Sequence, residues 1–418
     1  MAPANGSGER LFRFTTCGSV DDGKSTLIGR LLHDSGAILA DTLAAVQRAS
    51  QVRGQSFLDL SLLTDGLEEE RAQGITIDVA YRYFRSGGTH FIIADAPGHE
   101  EFTRNMVTAA STADLAVILV DATKGCRVQT LRHAYVTHLT GIRRVIVAVN
   151  KMDLVGWSEA AFGRVCDEFR STAGRLGLWE TTFIPISGLQ GDMVVERGGN
   201  LSWYAGPTLL EALEEAAGSS PAEAGPLRIP VQWVCRVEGL GQVVTGRVES
   251  GTVVAGDEVG LMPAGTRFRV DEVRLGNAML TSAQAGQSVT LRLCGASEVR
   301  RGDILVPAGA EPQATTAIEA MLCWFSPRRL IPSHPYRLRH ATREVHAQVT
   351  HIDWRMDLST LEKVHAHDLA MNDIACVRLD LGEVIVPDRY AESRATGGFI
   401  LVDGETGDTV AAGMIAAI

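Results

Sequence analysis

Through the first half of the chain, short apolar runs alternate with longer stretches of helical periodicity. The runs at 12–17, 90–94, 115–120, 145–149 and 182–186 read as strands, and helices are predicted at 25–34, 128–139, 158–176 and 208–217. Strands flanked by such helices imply a mostly parallel sheet covered on both faces. Residues 10–218 therefore form one α/β domain, preceded by a short polar tail at 1–9 and followed by a Gly/Ser/Pro/Ala-rich linker at 219–226.

Beyond the linker the rhythm changes. Strands are predicted at 229–236, 241–248, 257–261, 268–274, 287–293 and 304–306, separated by glycine-containing turns. Strands this close leave no room for covering helices and favour an antiparallel barrel. A second strand-rich pattern, including 320–323, 344–352, 373–379 and 398–401, predicts another barrel. The expected architecture is thus multidomain α/β plus β: a P-loop domain at 10–218 and two antiparallel β-barrels at 227–312 and 313–418.

Composition narrows the reading. The 418 residues are 45% hydrophobic and 21% charged, which is enough apolar material for ordinary cores and excludes a mostly disordered chain. The net charge of −11 disfavours a purely electrostatic nucleic-acid binder, because such affinity comes from neutralising phosphates. The seven cysteines form no CxxC and are expected to be buried thiols in a reducing compartment. No signal peptide or membrane span is expected, and the predicted location is the cytoplasm.

The chemistry concentrates at strand ends. Gly18-Ser19-Val20-Asp21-Asp22-Gly23-Lys24-Ser25 follows a strand and opens a helix, as a phosphate loop must. Successive backbone N–H groups and the helix N-terminus suit phosphate oxygens. Lys24 is placed to reach the β- and γ-phosphates and Ser25 to ligate Mg²⁺. Asp95-Ala96-Pro97-Gly98-His99-Glu100 ends a second strand, where Asp95 can orient a Mg²⁺-bound water and Gly98 can offer its N–H to the γ-phosphate. Asn150-Lys151-Met152-Asp153 follows a third. An Asp153 carboxylate can accept from guanine N1–H and the 2-amino group, whereas adenine supplies neither donor there. Asn150 can brace the base-binding loop, and the Lys151 methylenes can cover the ring. Ser187-Gly188-Leu189 can complete the contacts to guanine.

In this order the motifs are recognisable. Together with Gly74-Ile75-Thr76-Ile77, they resemble the successive signatures of a translational GTPase. The stretch at 67–80 is similar to the first switch of the elongation factor Tu and 1-alpha group, and 244–251 resembles the start of its second-domain barrel. Within that superfamily the chain is more similar to the large, GTP-hydrolysing subunits of sulfate adenylyltransferase. Their typical phosphate loop matches residues 18–26 through Thr26, whereas elongation factors more often carry His at the positions of Ser19 and Asp22. The segments 27–34, 385–390 and 395–400 add to this likeness, while 236–251 reads more like an elongation factor.

The resemblance implies that Thr76 meets Mg²⁺ through its hydroxyl and the γ-phosphate through its backbone. Asp95 would hold Mg²⁺ through water, and Gly98 would contact the γ-phosphate. His99 would position the attacking water; from the residues alone it could act as base, charged stabiliser or orienter. GTP/GDP and Mg²⁺ are the implied cofactors. The implied partner is a small catalytic subunit of the ATP-pyrophosphatase-like class, in a heterodimer or an assembly of heterodimers. That subunit would join sulfate to the adenylyl group of ATP, while GTP hydrolysis drives the uphill step. No stable nucleic-acid partner is expected. A translational factor delivering aminoacyl-tRNA is the alternative. No second phosphate-loop pattern follows Asp303, so no fused adenylylsulfate kinase is expected. The histidines at 334, 340, 346, 351, 365 and 367 have no zinc-ligand spacing. The basic run Arg328, Arg329, Arg337, Arg339, Arg343 reads as a solvated barrel face, with an acidic-protein partner as its functional alternative and RNA after that.

Overall fold

A computed structural model describes residues 10–52, 58–63, 79–99, 103–178, 180–219, 225–237, 241–295 and 298–418. The chain divides into two compact units, Met1–Ser220 with Leu358–Leu361, and Pro221–Asp357 with Glu362–Ile418.

The first unit is built on a six-stranded sheet of β1 (Arg10–Cys17), β2 (Ala80–Ser86), β3 (Thr89–Asp95), β4 (Leu115–Asp121), β5 (Arg144–Asn150) and β6 (Glu180–Pro185). Their spatial order is β2-β3-β1-β4-β5-β6, and every pairing is parallel except β2 with β3. All of β4 is buried, as its unbroken apolar sequence requires of a central parallel strand. The edge strand β2 was not anticipated. Its Tyr-Arg-Tyr alternation buries only Phe84, which stacks on Phe91 with ring centroids 4.8 Å apart.

The accompanying helices are α1 (Lys24–Asp34), α2 (Ala40–Val52), α3 (Thr103–Ser111), α4 (Val128–Leu139), α5 (Glu159–Leu176) and α6 (Leu209–Gly218). Two residues expected inside helices are their caps instead. Ser158 accepts from the Ala161 N–H at the head of α5, and Thr208 forms a reciprocal capping box with Glu211 at α6. A short oxygen-bearing side chain satisfies first-turn amides that the helix itself leaves unpaired. Helices α2 and α3 escaped the sequence reading.

The second unit holds two closed barrels, each with its own apolar core. In the first, β7 (Ile229–Val237), β8 (Gly241–Arg247), β10 (Glu258–Met262), β11 (Thr266–Leu275), β14 (Ser288–Leu293) and β15 (Ile304–Pro307) run in the order β10-β15-β7-β8-β14-β11, and β10–β11 pairing closes the ring. Short strands β9 (Thr252–Val254) and β13 (Ser282–Gln284) pair beside it, and β12 (Ala278–Leu280) extends β11.

In the second barrel, β16 (Thr315–Trp324), β17 (Pro335–His340), β18 (Arg343–Asp357), β20 (Ile374–Ile385), β21 (Gly398–Asp403) and β22 (Thr409–Ala417) close through β17–β18, with β19 (Glu362–Val364) appended. Strand β22 was missed because its Ala/Gly-rich sequence has little intrinsic strand preference. The missing Cβ of Gly413 leaves the space that the Phe399 ring fills from β21.

The segments 385–390 and 395–400 turn out to fasten the barrels. Arg228 donates to both carboxylate oxygens of Asp388 at 2.8 and 2.9 Å, and Thr396 donates its hydroxyl to the same carboxylate at 2.6 Å. Thr396 O lies 2.6 Å from Nε2 of buried His340. The basic run is largely matched within the barrel: Arg329 to Asp368, Arg337 and Arg339 to Glu344, and Arg343 to Glu383. The thiol expectation needs correcting at three positions. Cys17, Cys166, Cys323 and Cys376 are buried, but Cys126 and Cys235 are half-buried and Cys294 is exposed in the loop after β14.

Candidate functional site

The parallel register brings the predicted motifs to one edge of the sheet. Thr16 pairs with Asp95, Cys17 with Ile118, Asp121 with Asn150 and Val149 with Pro185, so the loops leaving β1, β3, β4, β5 and β6 emerge side by side. Ligands of open α/β sheets bind at this carboxyl edge.

Between β1 and α1 the loop curls on itself. Ser19 N–H donates to Asp22 Oδ2 at 2.7 Å, and Asp22 N–H donates to Ser19 O at 3.1 Å. Val20 and Asp21 are exposed. Gly23 has φ +93° and no side chain caps α1. A Cβ there would lie 2.5 Å from Asn150 Nδ2. The first turn of α1 thus presents its amides uncapped, with Lys24 buried and Ser25 and Thr26 half-buried beside them.

Lys24 Nζ is paired with Asp95 Oδ1, and Thr16 donates its hydroxyl to the same oxygen at 3.4 Å. Ala96 and Pro97 are buried, and Ala96 N–H donates to Thr16 O at 3.2 Å. Gly98 sits against the phosphate loop: a Cβ on it would meet Gly18 O at 2.5 Å and Val20 N at 3.4 Å. His99 is half-buried at the end of this segment. Thr76, with the rest of 64–78, lies outside the described residues.

The motifs predicted to read the base also meet. Asn150 Nδ2 donates to Asp22 O at 2.8 Å, while its Oδ1 accepts the Gly188 N–H at 2.9 Å, so one amide joins the phosphate loop to the 187–189 loop. Ser187 donates its hydroxyl to Asp153 Oδ1 at 2.8 Å and accepts from Gln190 N–H at 3.1 Å. Met152 is fully buried, and its N–H donates to Ile186 O at 3.2 Å. Lys151 adopts φ 63°, an uncommon region for a non-glycine residue, with its ammonium on Asp21 O and on Asp121 Oδ2 at 2.9 Å. Leu189 is exposed at the loop tip.

Electrostatics follow burial. Burial pushes Asp22 up to about 6, against the lowering effect of the Ser19 N–H bond. Burial also acts to raise Asp121, but hydrogen bonds from Thr123 and Lys151 outweigh it and hold that carboxyl below its ordinary value.

Three residues were assigned no role by sequence. Asp121 ends β4 as Asp95 ends β3, so the same strand-end acidic rule would have found it. Arg30 in α1 donates through Nε to Gly188 O at 3.3 Å and through a terminal nitrogen to Leu189 O at 2.5 Å. Gln129 in α4 donates to Gly98 O at 3.0 Å. Nothing local in the sequence signals the last two.

The residues fit a magnesium nucleotide. Ser25 and Asp95 offer hard oxygen donors of the kind Mg²⁺ takes. The Ser19 hydroxyl is buried without a hydrogen-bond partner in the loop itself, and Gly98 packs against the backbone beside it, where a Cβ would meet Gly18 O at 2.5 Å.

Sheet, loops and barrels together define a P-loop GTPase of the elongation factor Tu type. Residues 9–219 match the family described as "Elongation factor Tu GTP binding domain", 241–306 "Elongation factor Tu domain 2" and 317–416 "GTP-eEF1A C-terminal domain-like". Over 97% of its length the chain is 45% identical to sulfate adenylyltransferase subunit 1 of Cellvibrio japonicus, covering 87% of that protein. It is 46% identical, over 97% of its length, to the bifunctional enzyme CysN/CysC of Rhodopirellula baltica, covering 64% of that protein. The chain belongs to the sulfate adenylyltransferase subunit 1 family. Among the described residues no helix is long and apolar enough to cross a membrane.

Proposed function

We propose that this chain is the GTP-hydrolysing subunit of sulfate adenylyltransferase. It would couple GTP turnover to formation of adenosine 5′-phosphosulfate and pyrophosphate from ATP and sulfate on a separate small subunit of the ATP-pyrophosphatase-like class. The observation that carries the nucleotide assignment is the convergence of Lys24, Asp95, Gly98, Asn150, Asp153 and Ser187 at one sheet edge. Family membership carries the choice of reaction.

Asp153, aimed by Ser187, accepts the two guanine N–H donors, and the Lys151 stem covers the ring. Lys24 leaves Asp95 for the β- and γ-phosphates. Ser25 and Thr76 would hold Mg²⁺ directly and Asp95 would hold it through water, and the ion would supply charge neutralisation at the phosphates. Gly98 meets the γ-phosphate through its N–H, and His99 orients the attacking water. When the γ-phosphate is present it holds the segments of Thr76 and Gly98 together, and its loss releases both. Coupling requires that the partner bind these two states with different affinity.

The test is GTP turnover by the chain purified with its small subunit. Turnover should depend on sulfate and ATP, and should vanish in Asp153→Ala. Hydrolysis stimulated by ribosomes and indifferent to sulfate would move the assignment to translation.

A further inference from the structure

Gly98 is gripped from a side that the nucleotide motifs do not account for. Gln129, in the first turn of α4, places its amide nitrogen 3.0 Å from Gly98 O and 3.1 Å from Nε2 of His133, one turn further along. An amide nitrogen carries two hydrogens, so it can serve both acceptors at once. His133 Nε2 must then accept, which puts the imidazole proton on Nδ1.

That Nδ1 has no hydrogen-bond partner, and the ring is wholly inaccessible to solvent. Burial, with Arg132 and Lys24 nearby, depresses His133 to about 3, so the ring is neutral. An unpaired buried donor is costly, and an aliphatic side chain would fill the same space without that cost. Packing alone therefore gives no reason for a histidine here. Its ring does give one: with the proton on Nδ1, Nε2 offers the Gln129 amide nitrogen a second acceptor beside Gly98 O, so a flipped amide would set its oxygen against two acceptors rather than one.

We propose that Gln129 and His133 are positioning residues for GTP hydrolysis. His133 helps hold the Gln129 amide, Gln129 fixes the Gly98 carbonyl, and this sets the backbone from which the Gly98 N–H and the His99 side chain face the γ-phosphate. The pair links the phosphate-sensing segment to α4, so a partner displacing α4 would alter hydrolysis without touching the nucleotide. This inference rests on the reading of the site as a GTPase.

The test is single-turnover GTP hydrolysis by the full chain in complex with its small subunit, with ATP and sulfate present, and GDP affinity measured in parallel. Gln129→Met removes both donors at nearly constant volume. It should lower the hydrolysis rate about tenfold, the equivalent of about 1.4 kcal/mol, and leave GDP affinity within about twofold. His133→Leu should slow hydrolysis severalfold while melting no lower than the wild type. His133→Gln, which restores an acceptor, should recover most of the rate.

Wild-type rates in both Gln129→Met and His133→Leu would overturn the proposal. So would a loss of GDP affinity parallel to the loss of rate, because that pattern belongs to a residue that merely builds the site. Should Gln129→Met fail to fold, the His133 variants decide alone. A wild-type complex that hydrolyses no GTP in the presence of ATP and sulfate would instead remove the underlying assignment.

Discussion

Asp95→Asn changes one charge and almost no volume, and its consequences reverse with magnesium. The Lys24 and Asp95 side chains are 8% and 2% exposed, so their ion pair is screened from water. Removing one member of a buried pair strands the other and costs about 3–5 kcal/mol. Asparagine still offers a carbonyl to the ammonium, which places the expected loss near the lower end, about 3 kcal/mol in the nucleotide-free chain. Phosphate then meets an ammonium that the Asp95 carboxylate no longer neutralises. Without Mg²⁺, GDP no longer competes with Asp95, so the variant should bind it at least about tenfold more tightly, each 1.4 kcal/mol being a factor of ten. With Mg²⁺ present the order should invert, because the carboxylate that supports the ion is gone. Denaturant midpoints of the nucleotide-free proteins, and GDP titrations in chelator and in Mg²⁺, measure both effects. A variant as stable as the wild type, binding metal-free GDP no better, would refute the competition between Asp95 and phosphate.

Arg30→Ala should weaken GTP and GDP binding alike, about tenfold, through the two charge-assisted bonds it loses to Gly188 and Leu189. Turnover at saturating GTP should be unchanged, and a selective fall in kcat in steady-state assays would exclude this role. Asp22→Asn should stabilise the nucleotide-free chain at pH 7. Burial raises Asp22 to about 6, so between about pH 4 and pH 6 the folded chain holds a proton that the unfolded chain has released, and above that range it carries a buried charge. The associated stability is present near pH 4 and is lost as pH rises through about 6, a difference of up to about 3 kcal/mol by pH 7. The asparagine keeps an acceptor for the Ser19 N–H and lacks this slope. Urea midpoints at pH 4 and pH 7 should therefore coincide with the wild type at the lower pH and exceed it at the higher; an equal offset at both would show that titration is not the cause.

Much of the nucleotide site was legible because its parts are local. Gly23 must turn at positive φ where Lys24 begins a helix, Asp95 and Asn150 each end a short apolar strand, and Ser187 lies just past another. Such constraints act over a few residues and leave a spacing in the chain. The strands of greatest periodicity were found to within a few residues at their ends, whereas Ala80–Ser86 and Thr409–Ala417 were not. The first alternates aromatic and basic residues at an exposed edge, and the second depends on Phe399 to fill what Gly413 lacks.

By itself, then, the sequence determined the guanine-nucleotide chemistry, the order of an α/β unit before two barrels, and the likeness to one family. Only the tertiary structure decided that Arg30 braces the base loop, that Gln129 reaches Gly98, and that the basic run around Arg337 is matched by its own barrel. It also decided how the barrels close, through β10–β11 and β17–β18. Backbone preference and periodicity are written residue by residue along the chain. Contacts such as Gln129 to Gly98, 31 residues apart, exist only after strand register has fixed which loop ends lie side by side.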